Sequence, residues 1–253
     1  MKKNYFIKLS FDGTAYNGWQ IQENTPYTIQ QVMNEKISSL LNEKIELSGC
    51  GRTDTGVHAK EFYAHFDIEK ENLNTVDWIY KFNCVLPKDI SVHEIRSVNN
   101  NAHARFDAIS RTYQYIIIGS RDSFMNERAA FLYLPLDLSL MNEASKILFE
   151  YNDFSSFSKL HTQVKTNLCK ITKAEWTQEN NLITFEITAD RFLRNMVRAI
   201  VGTLVAVGKK EITIDEMRKI IESKNRSNAG ESFPACGLYL TKVIYPKEIF
   251  LNV

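Results

Sequence analysis

The sequence predicts an α+β protein made of two successive β-α-β-β-α-β units, and three observations carry that prediction. Residues 4–97 alternate short apolar strands with two amphipathic helical stretches in that order. A polar break, Asn99-Asn100-Asn101, follows, and the remainder of the chain then repeats the same grammar. Of the 253 residues 44% are hydrophobic and only 10 are Gly and 5 Pro, a composition that collapses into a core and excludes disordered or collagen-like chains. The domains are set at 1–104 and 105–253.

In the first half, NYFIKLSF (4–11) reads as a strand. Residues 28–42 place Ile29, Val32, Met33, Ile37, Leu40 and Leu41 on one helical face behind a Thr28 cap. A short strand at 45–49, a Gly-rich loop, an alternating strand at 60–68, a helical stretch around 73–84 and a strand at 90–97 complete the unit. This order is the ferredoxin-like plan, an antiparallel sheet with both helices on one face. In the second half, strands fall near 110–119 and 129–134, a helix at 139–150, strands near 170–177 and 182–189, helices at 191–207 and 215–224, and a closing strand at 237–244.

With 31 Lys and Arg against 30 Asp and Glu, total charge does not announce a polyanionic partner, so any nucleic-acid surface must come from local clustering. Residues 1–104 carry 11 basic against 13 acidic groups and residues 105–253 carry 20 against 17, which puts the positive excess in the second half. Cys50, Cys84, Cys169 and Cys236 are scattered without a C-x-x-C pair, so buried free thiols are expected rather than zinc ligands or disulfides. No apolar run of 18 residues exists, and a cytoplasmic, unanchored protein is predicted.

Four segments carry candidate chemistry. Gly49-Cys50-Gly51-Arg52-Thr53-Asp54-Thr55-Gly56-Val57-His58 gathers three glycines around one guanidinium and one carboxylate, without the spacing of a nucleotide-binding loop. It is either a hairpin connection with an Asx-turn or a catalytic loop. In the stretch 104–115, Arg111, Tyr113 and Tyr115 share one strand face, suited to stacking an unpaired base or to cross-strand packing. Arg191, Arg194 and Arg198 fall in one arc of the helix predicted from 191, beside the apolar run Phe192, Met196, Ile200 and Leu204. Between Asp153 and Glu175 no acid occurs while Lys159, His161, Lys165, Lys170 and Lys173 accumulate, which reads as a phosphate-contacting arm or a solvated loop.

Taken in order, FDGTAYNGWQ (11–20), GRTDTGVHA (51–59), FNCVLPKDI (82–90), HARFDAISRTYQY (103–115), NDFSSF (152–157), FLRNMVRAIVG (192–202) and GLYL (237–240) resemble the TruA family of tRNA pseudouridine synthases over nearly the whole chain. The resemblance implies two ferredoxin-like domains joined into one continuous antiparallel sheet with a central cleft. It also implies a homodimer, tRNA as partner, and uridines of the anticodon stem-loop, typically positions 38 to 40, as targets. Isomerisation needs the glycosidic bond cleaved, the freed uracil rotated and a bond formed from its C5 to the same sugar carbon. No metal, redox or small-molecule cofactor is expected.

The resemblance assigns residue roles as well. Asp54 is the essential carboxylate, acting either as a nucleophile on the anomeric carbon or as a base on the neighbouring one. Arg198 is its guanidinium partner, favouring the ionised form. Tyr113 stacks on the target base, Arg52 helps displace it, Leu238 walls its pocket, and Arg105 joins the substrate-binding set. Beside these, the local clustering of charge, not the resemblance, makes Lys159, Lys165, Lys170, Arg191 and Arg194 the expected tRNA contacts. Two rival readings stand beside this one: an idle RNA-binding protein, which has no need of the carboxylate, and a nucleoside glycosidase, which wants a second acid or base that these loops lack.

Overall fold

Residues 4–11 do form a strand, one buried on both faces. In the computed structural model, which describes residues 2–23, 25, 27–69, 73, 76–133, 135–159 and 166–251, strand β1 (Lys3–Phe11) buries Tyr5, Phe6, Ile7, Leu9 and Phe11. Its two edges are taken by β3 (His58–Ile68) and β4 (Ile90–Val98), both antiparallel to it, and on the Phe6 face the rings of Tyr245 and Phe250 lie at 5.2 and 6.0 Å. The short β2 (Ser48–Gly49) pairs with the other edge of β3, giving the order β4-β1-β3-β2 of the expected plan. Helix α1 (Ile29–Leu41) starts where the Thr28 side chain accepts from the Gln31 amide and ends where Asn42 turns left-handed at φ 54°. Its apolar stripe of Ile29, Met33, Ile37 and Leu41 is buried, and it packs against α2 (Val76–Val85), which buries Phe82.

The strand expected at 45–49 is reduced to two residues for a visible reason. Side chains of α1 take its backbone groups first: Ser38 Oγ accepts from Ile45 N (2.8 Å), Asn34 Oδ1 accepts from Leu47 N (2.9 Å), and Gln30 Nε2 donates to Leu47 O (2.7 Å).

The chain divides into two units, Met1–Ile109 with Leu240–Val253, and Ser110–Tyr239. The sequence reading gave all of 105–253 to the second domain, whereas the segment from Leu240 belongs to the first unit. Long-range bonds draw it there: Tyr245 Oη donates to Ala104 O (2.6 Å), Val243 N to Glu61 Oε1 (2.9 Å), and Val98 bridges to Phe250.

The second unit opens with β5 (Ser110–Ile118), which pairs antiparallel with β8 (Leu182–Ala189), and β8 in turn with β7 (Ile171–Glu179). The segment expected as a strand at 129–134 contributes only β6 (Ala130–Phe131), parallel to β5, so the pairing is mixed rather than wholly antiparallel. Helix α3 (Leu138–Lys146) is capped by Asp137 and continues as a 3-10 turn over Ile147–Glu150. Helix α4 (Met196–Gly208) is apolar almost all round and accordingly buried, and α5 (Ile214–Glu222) begins with a capping box of Thr213 and Glu216. Strand β9 (Leu238–Ile244) leads the chain back to the first unit. The fold is thus mixed α+β, with nine strands and five α-helices among the described residues. No helix among them is long and apolar enough to cross a membrane.

None of the four cysteines is in a disulfide, but Cys84 is exposed on α2 while Cys50 and Cys169 are buried. Burial pushes the Cys169 thiol up to about 12, so little thiolate exists to react. Iodoacetamide at neutral pH is therefore expected to label Cys84 in the native protein and Cys169 only after unfolding, as peptide mass spectrometry would read. Early labelling of Cys169 would contradict the packing around it.

Candidate active site

Strand β2 ends at Gly49 and β3 begins at His58, so the loop of residues 50–57 carries Arg52 and Asp54 at the end of a true hairpin pair. The Cys50 amide donates to Tyr63 O (2.7 Å), Val57 N donates to Asp54 O (3.2 Å), and Gly56 turns the chain at φ 77°. Asp54 is half-buried and Arg52 exposed.

A second loop buttresses this one, through residues that sequence reasoning quoted but gave no role. A Cβ on Gly13 would stand 2.0 Å from Val57 O, and one on Gly18, at φ 80°, would stand 2.2 Å from Thr53 O. The two loops therefore meet backbone to backbone, and only glycine fits at either point. Gly13 N donates to Nδ1 of the buried His58 (3.1 Å), and Gly56 N to Tyr16 O (3.3 Å). The Tyr16 hydroxyl donates to Asp89 Oδ1 (2.7 Å); burial, then that carboxylate, raise it well above the ordinary phenol range, so it stays a donor. The Asx-turn in this region is made by Asp12, whose Oδ1 accepts from Thr14 N (3.0 Å). The readable signal was the pair of glycines in FDGTAYNGWQ.

Arg105 also belongs to the first unit, exposed on a firmly held turn. His103 N donates to Asp107 Oδ2 (2.7 Å), Ala104 N to His65 Nδ1 (3.2 Å), and Arg105 N to His103 Nδ1 (3.1 Å). Burial lowers both imidazoles below the usual histidine value, which keeps these nitrogens available as acceptors.

In the second unit Tyr113 lies half-buried on β5, its ring meeting Phe192 edge-on at 5.2 Å. Its neighbour on that face, Tyr115, is fully buried and donates to Pro234 O, so packing claims that position. Arg198 stands in the first turn of α4, where Nε donates to Phe233 O (2.7 Å), and the buried Leu238 opens β9.

The helix expected from 191 begins only at Met196, because Asn195 sits left-handed at φ 67°. Arg191 and Arg194 therefore precede the helix and do not share an arc with Arg198. Instead they sit on a loop whose backbone gathers other cations. Lys159 N donates to Arg194 O (3.0 Å), Lys170 N and Arg191 N both donate to Asp190 Oδ1 (2.8 and 2.7 Å), and Arg111 Nη1 donates to Asp190 O (2.8 Å). Lys159, Lys170 and Arg194 are exposed and Arg191 half-buried, while Lys165 and His161 lie outside the described residues. Among the described residues no group of three His, Cys, Asp or Glu could hold a metal ion.

Comparison with known proteins bears on this arrangement. A family model described as tRNA pseudouridine synthase matches residues 8–107 and 146–246, stretches that contain Arg52, Asp54, Arg105, Arg198 and Leu238, with Tyr113 between them. A Bacteroides fragilis protein named tRNA pseudouridine synthase A is 51% identical over 249 residues, covering 98% of each chain. A protein of the same name from Porphyromonas gingivalis is 48% identical over 250 residues, 98% of this chain and 99% of that one. Another from Legionella pneumophila is 37% identical over 247 residues, 97% and 94%.

Proposed function

The chain belongs to the tRNA pseudouridine synthase family, and from that premise we propose that it isomerises uridines of the tRNA anticodon stem-loop, at positions 38 to 40, with Asp54 as the catalytic carboxylate. The reaction is an isomerase step: the bond from the sugar to N1 of uracil is replaced by one from the same sugar carbon to C5, while C5 gives up its proton and N1 takes one up. One bond is exchanged for another within a nucleotide, so no redox cofactor is called for. Asp54 attacks the anomeric carbon or takes the proton of the neighbouring ribose carbon. A stem nucleotide must leave its stack before its sugar is reached, at a cost of a few kcal/mol. Arg52 holds the base out, Tyr113 stacks on it, Leu238 walls its pocket, Arg105 joins the substrate-binding set and Arg198 partners the carboxylate.

The observation that best supports this reading is the buttressing of the Asp54 loop by Gly13 and Gly18. A surface that only bound RNA would need charge and aromatic planes, not a carboxylate fixed backbone to backbone. The working species is proposed to be a cytoplasmic homodimer. Incubation with unmodified tRNA followed by nucleotide-resolved pseudouridine labelling is expected to mark positions 38 to 40. Labelling elsewhere would move the target, and no labelling would overturn the activity.

The excess of basic groups in the second half, 20 against 17 acidic, supports Lys159, Lys165, Lys170, Arg191 and Arg194 as the phosphate contacts. Lys159→Ala with Lys170→Ala should weaken tRNA binding and flatten its salt dependence by up to about one logarithmic unit per lost contact. Filter binding across a salt series reads this, and an unchanged slope would show that the cluster faces away from the RNA.

A further inference from the structure

We propose that Arg226 is a positioning residue for the reaction, acting through segment 229–234 on the guanidinium of Arg198; the inference rests on the role given to Arg198 above. Arg226 opens a 3-10 turn, Arg226–Asn228, and reaches forward along the chain. Its Nη1 donates to the carbonyls of Gly230 (3.1 Å) and Ala229 (3.4 Å), and its Nη2 to Ser232 Oγ (2.9 Å). Only a planar fork with several donors meets three acceptors placed this way.

The same segment is pinned from its other side by α4. Gly230 N donates to Thr203 Oγ1 (3.0 Å), and Asn195 Nδ2 donates to Ser232 Oγ. A Cβ on Gly202 would stand 1.9 Å from Glu231 O, so backbone lies directly on the helix there. Two bonds then tie the end of the segment to one residue: Phe233 N donates to Arg198 O (3.1 Å), and Arg198 Nε donates to Phe233 O (2.7 Å). Because a guanidinium is flat, a bond from Nε to a fixed carbonyl sets the plane and the aim of the two Nη groups. Arg226 fixes the segment, the segment fixes the Phe233 carbonyl, and that carbonyl fixes Arg198.

The test is a double-mutant cycle in the full-length protein, with single-turnover kcat, KM for tRNA and thermal unfolding measured for each variant. Arg226→Ala is expected to lower kcat by about 10²-fold, the size of loss that a displacement of about 1 Å produces, with KM nearly unchanged. Arg226→Lys should recover part of the loss. The double variant with Arg198→Ala should be no slower than Arg198→Ala alone, since both changes act at one group. A purely structural brace would give additive losses and would overturn the proposal, as would a raised KM with normal kcat. Normal kcat in Arg226→Ala beside a lost one in Arg198→Ala would overturn the role of Arg226 and leave that of Arg198. A loss in Arg226→Ala beside a normal Arg198→Ala would overturn the route through Arg198. If Arg226→Ala does not fold, Arg226→Lys, which keeps the charge and loses the fork, is read by the same criteria.

Discussion

Asp54→Asn is expected to lower pseudouridine formation by at least about 10³-fold while leaving tRNA affinity within a few-fold of the wild type. The amide preserves the size and planarity of the carboxylate but can neither attack a sugar carbon nor accept a proton from it. The turn itself is closed by backbone bonds from Val57 N to Asp54 O and from Gly56 N to Tyr16 O, which the substitution leaves in place. Single-turnover assays with labelled tRNA, alongside filter binding, separate the two quantities. Substantial turnover by the asparagine variant would remove Asp54 from the chemistry, and a parallel loss of binding would make it an RNA contact instead.

Gly18→Ala should be strongly destabilising, for two separate reasons. An alanine at φ 80° costs about 1–2 kcal/mol in any protein. Here its methyl would also meet Thr53 O at 2.2 Å, a backbone atom that cannot swing aside as a side-chain end could. Together these amount to roughly 3 kcal/mol, or a fall of roughly 5–10 °C in Tm. Activity should drop further than stability, because relief of the clash displaces the residue next to Asp54. Gly51→Ala is the control: its Cβ meets nothing within 4 Å, and its stability should stay within about 0.5 kcal/mol of wild type. Equal stability of the two variants would show that the close approach of the loops is not what holds Asp54.

Local pattern was a good guide where local pattern decides structure. The stripe Ile29, Met33, Ile37 and Leu41 behind a capping Thr28 fixed α1 to within a residue at each end. It failed where distant side chains intervene, as when Asn34 and Ser38 claimed the amides of a run that reads as a strand. Helix α4 was placed five residues too early because apolar spacing continues smoothly through 192–204, and nothing in that spacing reveals the left-handed Asn195. For the candidate site, the order of short motifs singled out Asp54, Tyr113 and Arg198 as residues to watch. Gly13 and Gly18 stood in plain view in FDGTAYNGWQ, but the backbone that each of them meets did not, because that close approach exists only in the folded chain. Nothing in the sequence marks Arg226, since its three acceptors are defined only once 229–232 is folded.

The return of Leu240–Val253 to the first unit has a consequence for how the molecule is made. A ribosome delivers residues 1–109 first, at roughly 5–20 residues per second, and domains ordinarily fold as they emerge. This one cannot finish, because Ala104 O waits for the Tyr245 hydroxyl, Glu61 for the Val243 amide and Val98 for Phe250, all translated after the whole of Ser110–Tyr239. The nascent first unit must persist half-closed through the synthesis of the second. Premature termination anywhere in the second unit therefore leaves neither unit with all its residues, and deprives the first of the bonds from Val243, Tyr245 and Phe250.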